Sequence, residues 1–444
     1  MLKSIGRQSN IRRPLILCMV LATFGAAFYK VVNRPPSALF QPSVIISQPI
    51  NTAPGIPNAL SGIHSHFVST QQNIHTHAAS LVELSDGRLR AFWFQGSSEG
   101  AQDVEIFSAV FDPEKNHWGM ESSIANREDT QRSLLRYVKK LGNPVARRAA
   151  DGTLWLFYVT VSLGGWAGSS ITAITSKDDG TTWSPARRLI TSPFLNISTL
   201  VKGTPFFYGD GSMGLPVYHE FIGKFGELLR ISGSGEIIDK QRLSSGNVTL
   251  QPVVLIKNPQ QSIVMMRYSG ASPRRVIATS TEDAGQHWSV PAKTTLANPD
   301  AAVSGVVLPD GRILLALNDT EAGRGALSLA ISSDNGATWK TVYQLEDQRG
   351  QNTDPSQYVQ LAAESAKATE PGITDAAPYA ESAKRNKCTA QSCGFEFSYP
   401  YLIQTRSGDF HLVYTWNRSY IKHVWFTRAW LDQSLEKTSD AKLY

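Results

Sequence analysis

Side chains that can transfer protons or hold anions recur at the predicted ends of β-strands along this 444-residue chain. Carboxylates serve as general acids and bases, and arginine forks bind anionic groups. Tyrosine, glutamate, aspartate and arginine occur together at these positions, a combination that favours an enzyme. The candidates are Glu99, Asp103, Tyr218, Glu220, Arg267, Arg324, Tyr399 and Arg418, together with His77, Asn143 and Lys202.

Three copies of one turn motif indicate the scaffold that must position these side chains. The copies are SKDDGTTW at Ser176–Trp183, TEDAGQHW at Thr281–Trp288 and SSDNGATW at Ser332–Trp339. In each copy the Asp caps backbone N–H groups, the Gly takes a positive φ and the Trp packs beneath the turn. Three copies at fixed internal offsets indicate a repeat.

A second series of turns has the same period. Turns interrupt the apolar strands at 86–87, 151–152, 210–211, 258–261, 310–311 and 407–408. Degenerate boxes are expected near Asp112, Ser232 and Asp432. Six turns and six box positions predict six four-stranded units, which must stack on each other to bury their faces. We therefore predict an all-β fold, a six-bladed β-propeller with Asp-box repeats over residues 61–435.

The repeat also predicts on which face function lies. The first and third turns of a four-stranded blade share one face, and the starts of the innermost strands and the ends of the second strands share the other. His77, Asn143, Lys202 and Tyr399 are expected at innermost-strand starts. Because loops on one face of a rigid scaffold commonly carry function, the site is predicted on the face away from the boxes.

One segment, residues 346–394, breaks the period with about 40 extra residues. It is rich in Ala, Ser, Gln and Glu and is expected to rise over the functional face, either as a lid or as a solvated, partly disordered excursion. Cys388 and Cys393 within it could form a local disulfide in an oxidising compartment or remain two free thiols.

Five stretches resemble the sialidase (neuraminidase) superfamily of Asp-box propellers, and most closely its bacterial predicted-neuraminidase group. They are HAASLVELSDGRLRAFWFQGSSEGAQDVEI at 77–106, GNPVARRAADGTLWLFY at 142–158, LPVYHEF at 215–221, PDGRILLALND at 309–319 and FSYPYLIQTRSGDFHLVYTWNRSYIKHVWF at 397–426. The similarity covers about residues 60–432 except the insertion. Asp boxes also occur in non-enzymes, whereas the last stretch is more specific.

The resemblance implies a retaining exo-glycosidase with a tyrosine nucleophile, an exception among glycosidases. Tyr399 would be the nucleophile, and Glu220 would take its proton because a tyrosine titrates near a pKa of about 10. Asp103, with Glu99 as its rival, would be the general acid/base. The resemblance requires no cofactor, and the histidine spacing does not indicate a metal site.

The remaining candidates would bind substrate, a terminal acidic sugar of a glycoconjugate or surface polysaccharide. They are Arg267, Arg324, Arg418, His77, Lys202, Asn143 and Tyr218. One departure stands out: sialidases have Arg-Ile-Pro where this chain has His77-Ala78-Ala79, and a neutral imidazole is a poor substitute for a guanidinium. Lys202 or Arg418 could compensate, or the sugar could be a different anionic or a neutral one.

Two other functions remain open. A non-catalytic carbohydrate-binding propeller is favoured by the missing arginine and by Trp93, Trp166 and Trp416, which could stack on sugars. A polysaccharide lyase could use Tyr399 or a histidine as its base.

The N-terminus predicts export. Four basic residues precede the apolar run PLILCMVLATFGAAFY at Pro14–Tyr29, so residues 1–32 are expected to be a signal anchor or a cleaved signal peptide. A Pro-rich tether should follow at 33–60. The protein would then face the periplasm from the inner membrane, or be periplasmic or secreted. All of the net charge of +6 lies in residues 1–40, so nucleic acid is not an expected partner.

Overall fold

The computed structural model of the protein describes residues 6–32, 38–42, 62–192, 196–350 and 353–440. It divides into two compact units, Met1–Ala38 and Leu39–Tyr444. The first unit contains helix α1, Gly6–Val32. Among the described residues no helix combines the length and the apolar character that crossing a membrane requires.

Six antiparallel sheets form the second unit, one for each predicted repeat, and they are the blades of the propeller. Blade one contains His75–Glu83, Leu89–Gly96, Glu105–Asp112, His117–Trp118 and Ser122–Ala125, and helix α2, Arg127–Leu134, follows it. Blade two contains Lys140–Arg148, Leu154–Val161, Ser169–Ser176 and Arg187–Arg188. Blade three contains Leu200–Val201, Phe206–Tyr208, Met213–His219, Phe225–Ile231 and Ile237–Arg242.

The other three blades follow the same meander. Blade four contains Thr249–Ile256, Ser262–Tyr268, Arg275–Thr281 and Ala292–Ala297. Blade five contains Ser304–Val307, Ile313–Leu317, Ala326–Ser332 and Lys340–Asp347. Blade six contains Phe397–Gln404, Phe410–Trp416, Tyr420–Phe426 and Ile63–Phe67. The second strands are buried along nearly their whole length because each blade packs against two neighbours.

Blade six takes its outermost strand from the beginning of the propeller. Ile63–Phe67 pairs antiparallel with Tyr420–Phe426, so the beginning of the propeller chain completes its last blade. The degenerate box expected near Asp432 is therefore wrong, because a helix follows the third strand of this blade. Asp432 lies instead in helix α5, Arg428–Asp440, and its carboxylate binds Arg312 and Arg428.

The expected tether is also partly wrong, because Phe40–Gln41 pairs with Phe206–Tyr208 of blade three. Phe40 is buried and stacks on Tyr208, so burial of this one aromatic ring holds Phe40–Gln41 against blade three although the predicted tether is rich in proline. The rest of the predicted tether, residues 33–37 and 43–60, lies outside the described residues.

The three clear boxes form the turns that follow the third strands of blades two, four and five. In the first, the N–H of Thr182 donates to Asp178 Oδ1 at 2.8 Å and the N–H of Gly180 donates to Ser176 Oγ at 2.8 Å. Residue 180 has a φ of 91°, which explains why this position is a glycine. Trp183 packs edge-on against Phe92 of blade one. The end of the propeller that carries these turns is called the box face below.

The opposite end, called the Tyr399 face below, has its own repeated feature. The innermost strands of four blades shift register near their starts, and one residue at each shift has a left-handed backbone: Ala78, Asn143, Gln251 and Tyr399, with φ between 45° and 56°. Such bulges bend a strand and redirect side chains, and they occur often at functional sites.

The insertion forms two packed helices, α3 at Pro355–Thr369 and α4 at Ala377–Lys387. Tyr358 and Ala380 are buried, and Trp416 Nε1 of blade six donates to Ser365 Oγ at 3.2 Å. Cys388 and Cys393 form a disulfide directly after α4. The segment is thus a packed part of the fold instead of a solvated excursion.

Candidate functional site

Tyr399 lies near the centre of the Tyr399 face, half-buried at the start of the innermost strand of blade six. Its hydroxyl accepts a hydrogen bond from Gln251 Nε2 at 3.3 Å. The ring of His77 packs edge-on against its ring, with centroids 4.4 Å apart. Lys202 Nζ lies 5.7 Å and the Arg324 guanidinium 6.0 Å from the centroid of the Tyr399 ring. Basic or amide side chains from four other blades therefore surround this phenol.

Gln251 links Tyr399 to a second tyrosine. Its Nε2 also lies 3.4 Å from the hydroxyl of Tyr218, which accepts a further hydrogen bond from Asn143 Nδ2 at 3.2 Å. Burial raises the pKa of Tyr218 well above its usual value, and the nearby Tyr399 and Glu220 raise it further. Tyr218 therefore stays a neutral phenol and serves as a fixed polar support.

Two of the predicted arginines converge on Asp300. Arg267 Nε donates to Asp300 Oδ1 at 2.5 Å and its Nη1 donates to Gln251 Oε1 at 3.2 Å. Arg324 Nη2 donates to the backbone oxygen of Asp300 at 2.6 Å. Asp300 itself has a left-handed backbone, with a φ of 60°, at the start of blade five. The arginines are thus held in place before any ligand binds.

A buried glutamate, Glu396, gathers the other cations of the site. Its Oε2 accepts from Lys387 Nζ at 2.6 Å and from Arg418 Nε at 2.8 Å, and its Oε1 lies 3.5 Å from Arg324 Nη1. Although burial pushes its pKa upward, Lys387 and Arg418 hold the pKa of Glu396 well below its usual value. Because Lys387 ends helix α4, the insertion forms part of the wall of the site.

Glu220 lies at the end of the second strand of blade three, where its backbone N–H donates to Ser198 Oγ at 2.8 Å. Burial raises the pKa of its carboxyl group, against the opposing charges of Arg267 and Lys224. Its carboxylate has no hydrogen-bond or ion-pair partner in the part of the chain that the structure describes. Tyr399 and Glu220 both act on Tyr218, and no hydrogen bond joins them in the described part of the chain.

The two candidate acids of blade one differ in where they point. Asp103 folds back on its own loop, with Oδ2 accepting from Ser97 N–H and Oδ1 from Ser97 Oγ, both at 2.9 Å. Glu99 instead reaches Arg418, with Oε2 3.1 Å from Nη1. The charge of Glu99 also acts on Glu220 and on His75. The structure thus brings Glu99 to the site and leaves Asp103 as a loop cap.

His77 and Lys202 line the inner wall of the site. Burial lowers the pKa of His77 well below its usual value, and Arg418 lowers it further, so the imidazole is neutral at pH 7. Lys202 Nζ donates to the backbone oxygen of Pro400 at 3.3 Å, and burial lowers the pKa of Lys202 to about 7. The charges of Arg418 and Arg324 both act on His77, the residue at the position that lacks the expected arginine.

The tryptophans expected as sugar platforms do not serve that purpose. Trp93 and Trp416 are fully buried in the core, with their indole N–H groups bonded to Gln95 and Ser365. Trp166 is half-buried beneath Lys140, whose Nζ lies 3.9 Å from its ring centroid. The interpretation of Trp93 and Trp416 as platforms is wrong because the strands bearing them are enclosed on both faces.

Three residues of the site, Gln251, Asp300 and Glu396, were absent from the predicted set. Gln251 occupies the same strand position as Asn143 and Tyr399, and this equivalence is a signal that the sequence contains. Glu396 lies three residues before Tyr399. Within the described residues no group of His, Cys, Asp and Glu is placed to hold a metal ion.

The sequence comparisons agree with this architecture. Residues 87–412, more than half of the chain, match the family model for a BNR repeat-like domain. No curated protein matches the chain.

The solved structures that are most informative are sialidases. A Hadza microbial sialidase has a TM-score of 0.59 at 15% identity, over 80% of this chain and 66% of that chain. The NanB sialidase from Streptococcus pneumoniae has a TM-score of 0.56 at 10% identity, over 86% and 71%. A Dyadobacter fermentans protein of unknown function has a TM-score of 0.58 at 12% identity, over 82% and 99%. At such identities the similarity concerns the fold.

Proposed function

The chain belongs to the BNR repeat-like domain family and has the Asp-box propeller fold of the sialidase superfamily, and on this premise we propose that it is a glycoside hydrolase. In this proposal it releases a terminal acidic sugar from a glycoconjugate or polysaccharide, with retention of configuration. Tyr399 attacks the sugar, and Glu220 takes the phenolic proton.

The setting of Tyr399 is the observation that carries the proposal. Removing a proton from a phenol at neutral pH requires nearby groups that stabilise the phenolate. The Gln251 amide donates to this oxygen, and Lys202 and Arg324 face the ring. The raised pKa of Glu220 suits a base that must accept a proton near neutrality. Substrate must close the gap between the two groups, since catalytic hydrogen bonds often tighten only in the complex.

We assign the general acid to Glu99 in preference to Asp103. Both oxygens of Asp103 already accept hydrogen bonds from Ser97 of its own loop. Glu99 stands beside Arg418, and its charge acts on Glu220. Glu99→Gln should therefore slow glycosides with poor leaving groups more than activated aryl glycosides, whereas Asp103→Asn should affect both alike.

The arginines support an acidic substrate because they keep unused donors. Each guanidinium has five N–H groups, and Arg267 uses its Nε and Nη1 groups on Asp300 and Gln251. Its remaining N–H groups, with those of Arg324 and Arg418, are available to a substrate carboxylate. The internal partners Asp300, Glu396 and Glu99 reduce the positive charge offered to it.

We also propose that the protein is exported to the periplasm or beyond. The basic and apolar character of residues 1–32 supports this, and so does the Cys388–Cys393 disulfide, since such bonds persist in oxidising compartments.

A panel of aryl glycosides tests the proposed activity. The purified protein should cleave at least one acidic member, such as a sialoside or a glucuronide, faster than its neutral counterparts, and proton NMR of the first product should show retention. Tyr399→Phe and Glu220→Gln should each remove this turnover. Inversion of configuration would exclude the tyrosine mechanism.

A carbohydrate-binding propeller is the second candidate, favoured by the neutral His77 and by the lack of contact between Tyr399 and Glu220. It predicts saturable glycan binding, unaffected by Tyr399→Phe, with no product. A lyase would instead release an unsaturated product that absorbs in the ultraviolet, from uronic acid polymers alone.

A further inference from the structure

A cavity of about 410 Å³ lies at the box-face end of the central channel, opposite the Tyr399 face. Its walls come from the last residues of three innermost strands and the turns they enter, at 254–257, 305–309 and 402–404. Arg147 from blade two and Thr204 from blade three complete the lining. The volume lies within the range of small-molecule pockets, about 300–1,000 Å³.

The charged residues of this lining are both cations. They are Arg147 and Lys257, and no Asp or Glu among the described residues lines the cavity. Arg147 Nε is buried without a hydrogen-bond partner. Within the described part of the chain, neither side chain makes a hydrogen bond or an ion pair. Residues 43–61, which follow the lining residue Pro42 in the sequence, contain no acid either.

Nearby carboxylates do not neutralise Arg147. Glu83 is close enough for its charge to act on Arg147, but both Glu83 oxygens accept hydrogen bonds from Arg406, at 2.9 and 3.0 Å. The Arg147 guanidinium carbon lies 5.5 Å from the centroid of the Phe207 ring. Burying part of a guanidinium without a hydrogen-bonded carboxylate is costly, and pairing with a carboxylate through two parallel hydrogen bonds removes most of that cost.

We propose that this cavity is a second binding site, for a small organic carboxylate anchored on Arg147. Lys257 supplies a second positive charge at the wall. Leu255, Val307 and Leu402 supply apolar side chains to the remaining walls, so a hydrocarbon body can pack there, which an inorganic anion lacks.

Binding of benzoate tests the proposal, with benzamide as its uncharged counterpart. Calorimetric titration of the purified full-length protein should show saturable benzoate binding and no benzamide binding. Arg147→Met should weaken benzoate binding at least tenfold, about 1.4 kcal/mol. Arg148→Met is the matched control: Arg148 is the neighbouring residue, it pairs with Asp179, and its removal changes the net charge equally.

Two further comparisons separate this site from the other end of the channel. In Arg267→Met, which removes a cation of the Tyr399 face, the benzoate binding that depends on Arg147 should persist. Inorganic phosphate should bind more weakly than benzoate. The proposal is overturned if the wild-type protein does not bind benzoate, if Arg148→Met weakens binding as much as Arg147→Met, or if phosphate binds equally well.

Discussion

At the Tyr399 end of the central channel each arginine stands beside a carboxylate or backbone oxygen of the chain itself, whereas at the box-face end Arg147 lines a cavity without one. The acids of the box face are used elsewhere. Asp178 caps its own turn, and Asp310 binds Arg312 and Arg428. An acid in a repeated turn is thus part of the scaffold, whereas an acid on an irregular connection, such as Asp300 or Glu396, is available to organise a site.

The buried carboxylate of Glu396 gives the largest expected effect. Glu396→Ala would leave Lys387, Arg324 and Arg418 without their shared counter-charge, and breaking a buried ion pair typically costs about 3–5 kcal/mol. Urea denaturation monitored by tryptophan fluorescence would measure the loss. Glu99→Gln, which removes the more exposed partner of Arg418, should cost less than about 1 kcal/mol. Equal losses would show that Glu396 is not the organising charge.

The phenol of Tyr399 comes next. Tyr399→Phe should lower kcat of any cleaved glycoside at least about 100-fold, a loss of about 2.7 kcal/mol of transition-state stabilisation, while stability is unchanged. Tyr343→Phe, on the outermost strand of blade five, is the control and should retain full activity. Residual activity above a tenth of wild type in Tyr399→Phe would contradict the assigned role.

Lowering the pH should reduce the stability contributed by His411 and His423, at the box-face end of blade six, before it reduces the contribution of Glu396. His411 Nδ1 and His423 Nε2 are 3.0 Å apart, and burial lowers the pKa of His411 from 6.5 to about 3. The unfolded chain therefore binds a proton below pH 6.5 that the folded protein refuses, and stability falls as pH drops from 6.5 towards 3. Glu396, whose folded pKa is depressed, loses its contribution only below about 4.5.

The variant His411→Gln isolates this effect. At pH 5 the wild type should have lost about 2 kcal/mol through His411, so the stability difference between wild type and variant should shrink by that amount between pH 7.5 and pH 5. Gln286→Ala, a substitution in the second box that removes no titratable group, is the control and should show a constant difference. A constant difference for His411→Gln would mean that the histidine pair is already protonated in the fold.

The smallest effect is expected from the boxes. Ser176→Ala removes a buried hydroxyl that accepts from the N–H of Gly180 and donates to Asp178, and loss of such a cap costs about 1 kcal/mol. Thermal unfolding should detect it, with kcat unchanged. The equivalent Ser332→Ala should behave alike, since Ser332 makes the same two bonds at 2.8 Å. A change in kcat would show that the two faces are coupled.

The repeat alone was enough to predict six blades, the position of the boxes and the face that carries Tyr399, because turn chemistry and strand alternation are local properties. The same logic located Arg267, Arg324 and Glu220 at strand ends. It failed for Asp432, since nothing local shows that the outermost strand of blade six comes from Ile63–Phe67. The prediction that Trp93 and Trp416 stack on sugars was wrong for a similar reason, because the burial of a side chain depends on which blade covers its strand.

Only the tertiary structure decided which side chains form hydrogen bonds and ion pairs with each other. The sequence predicts Asp103 as the acid with Glu99 as its rival, and only the folded loop turns Asp103 to Ser97 and Glu99 to Arg418. The disulfide-closed loop after α4 brings Glu396 to Lys387. Arg147 has no hydrogen-bonded carboxylate, because Glu83 accepts its hydrogen bonds from Arg406. Charges interact through space, and the order of residues along the chain does not encode which charges come close together. The sequence therefore determined the propeller scaffold, and the tertiary structure determined the electrostatics at the two ends of the central channel.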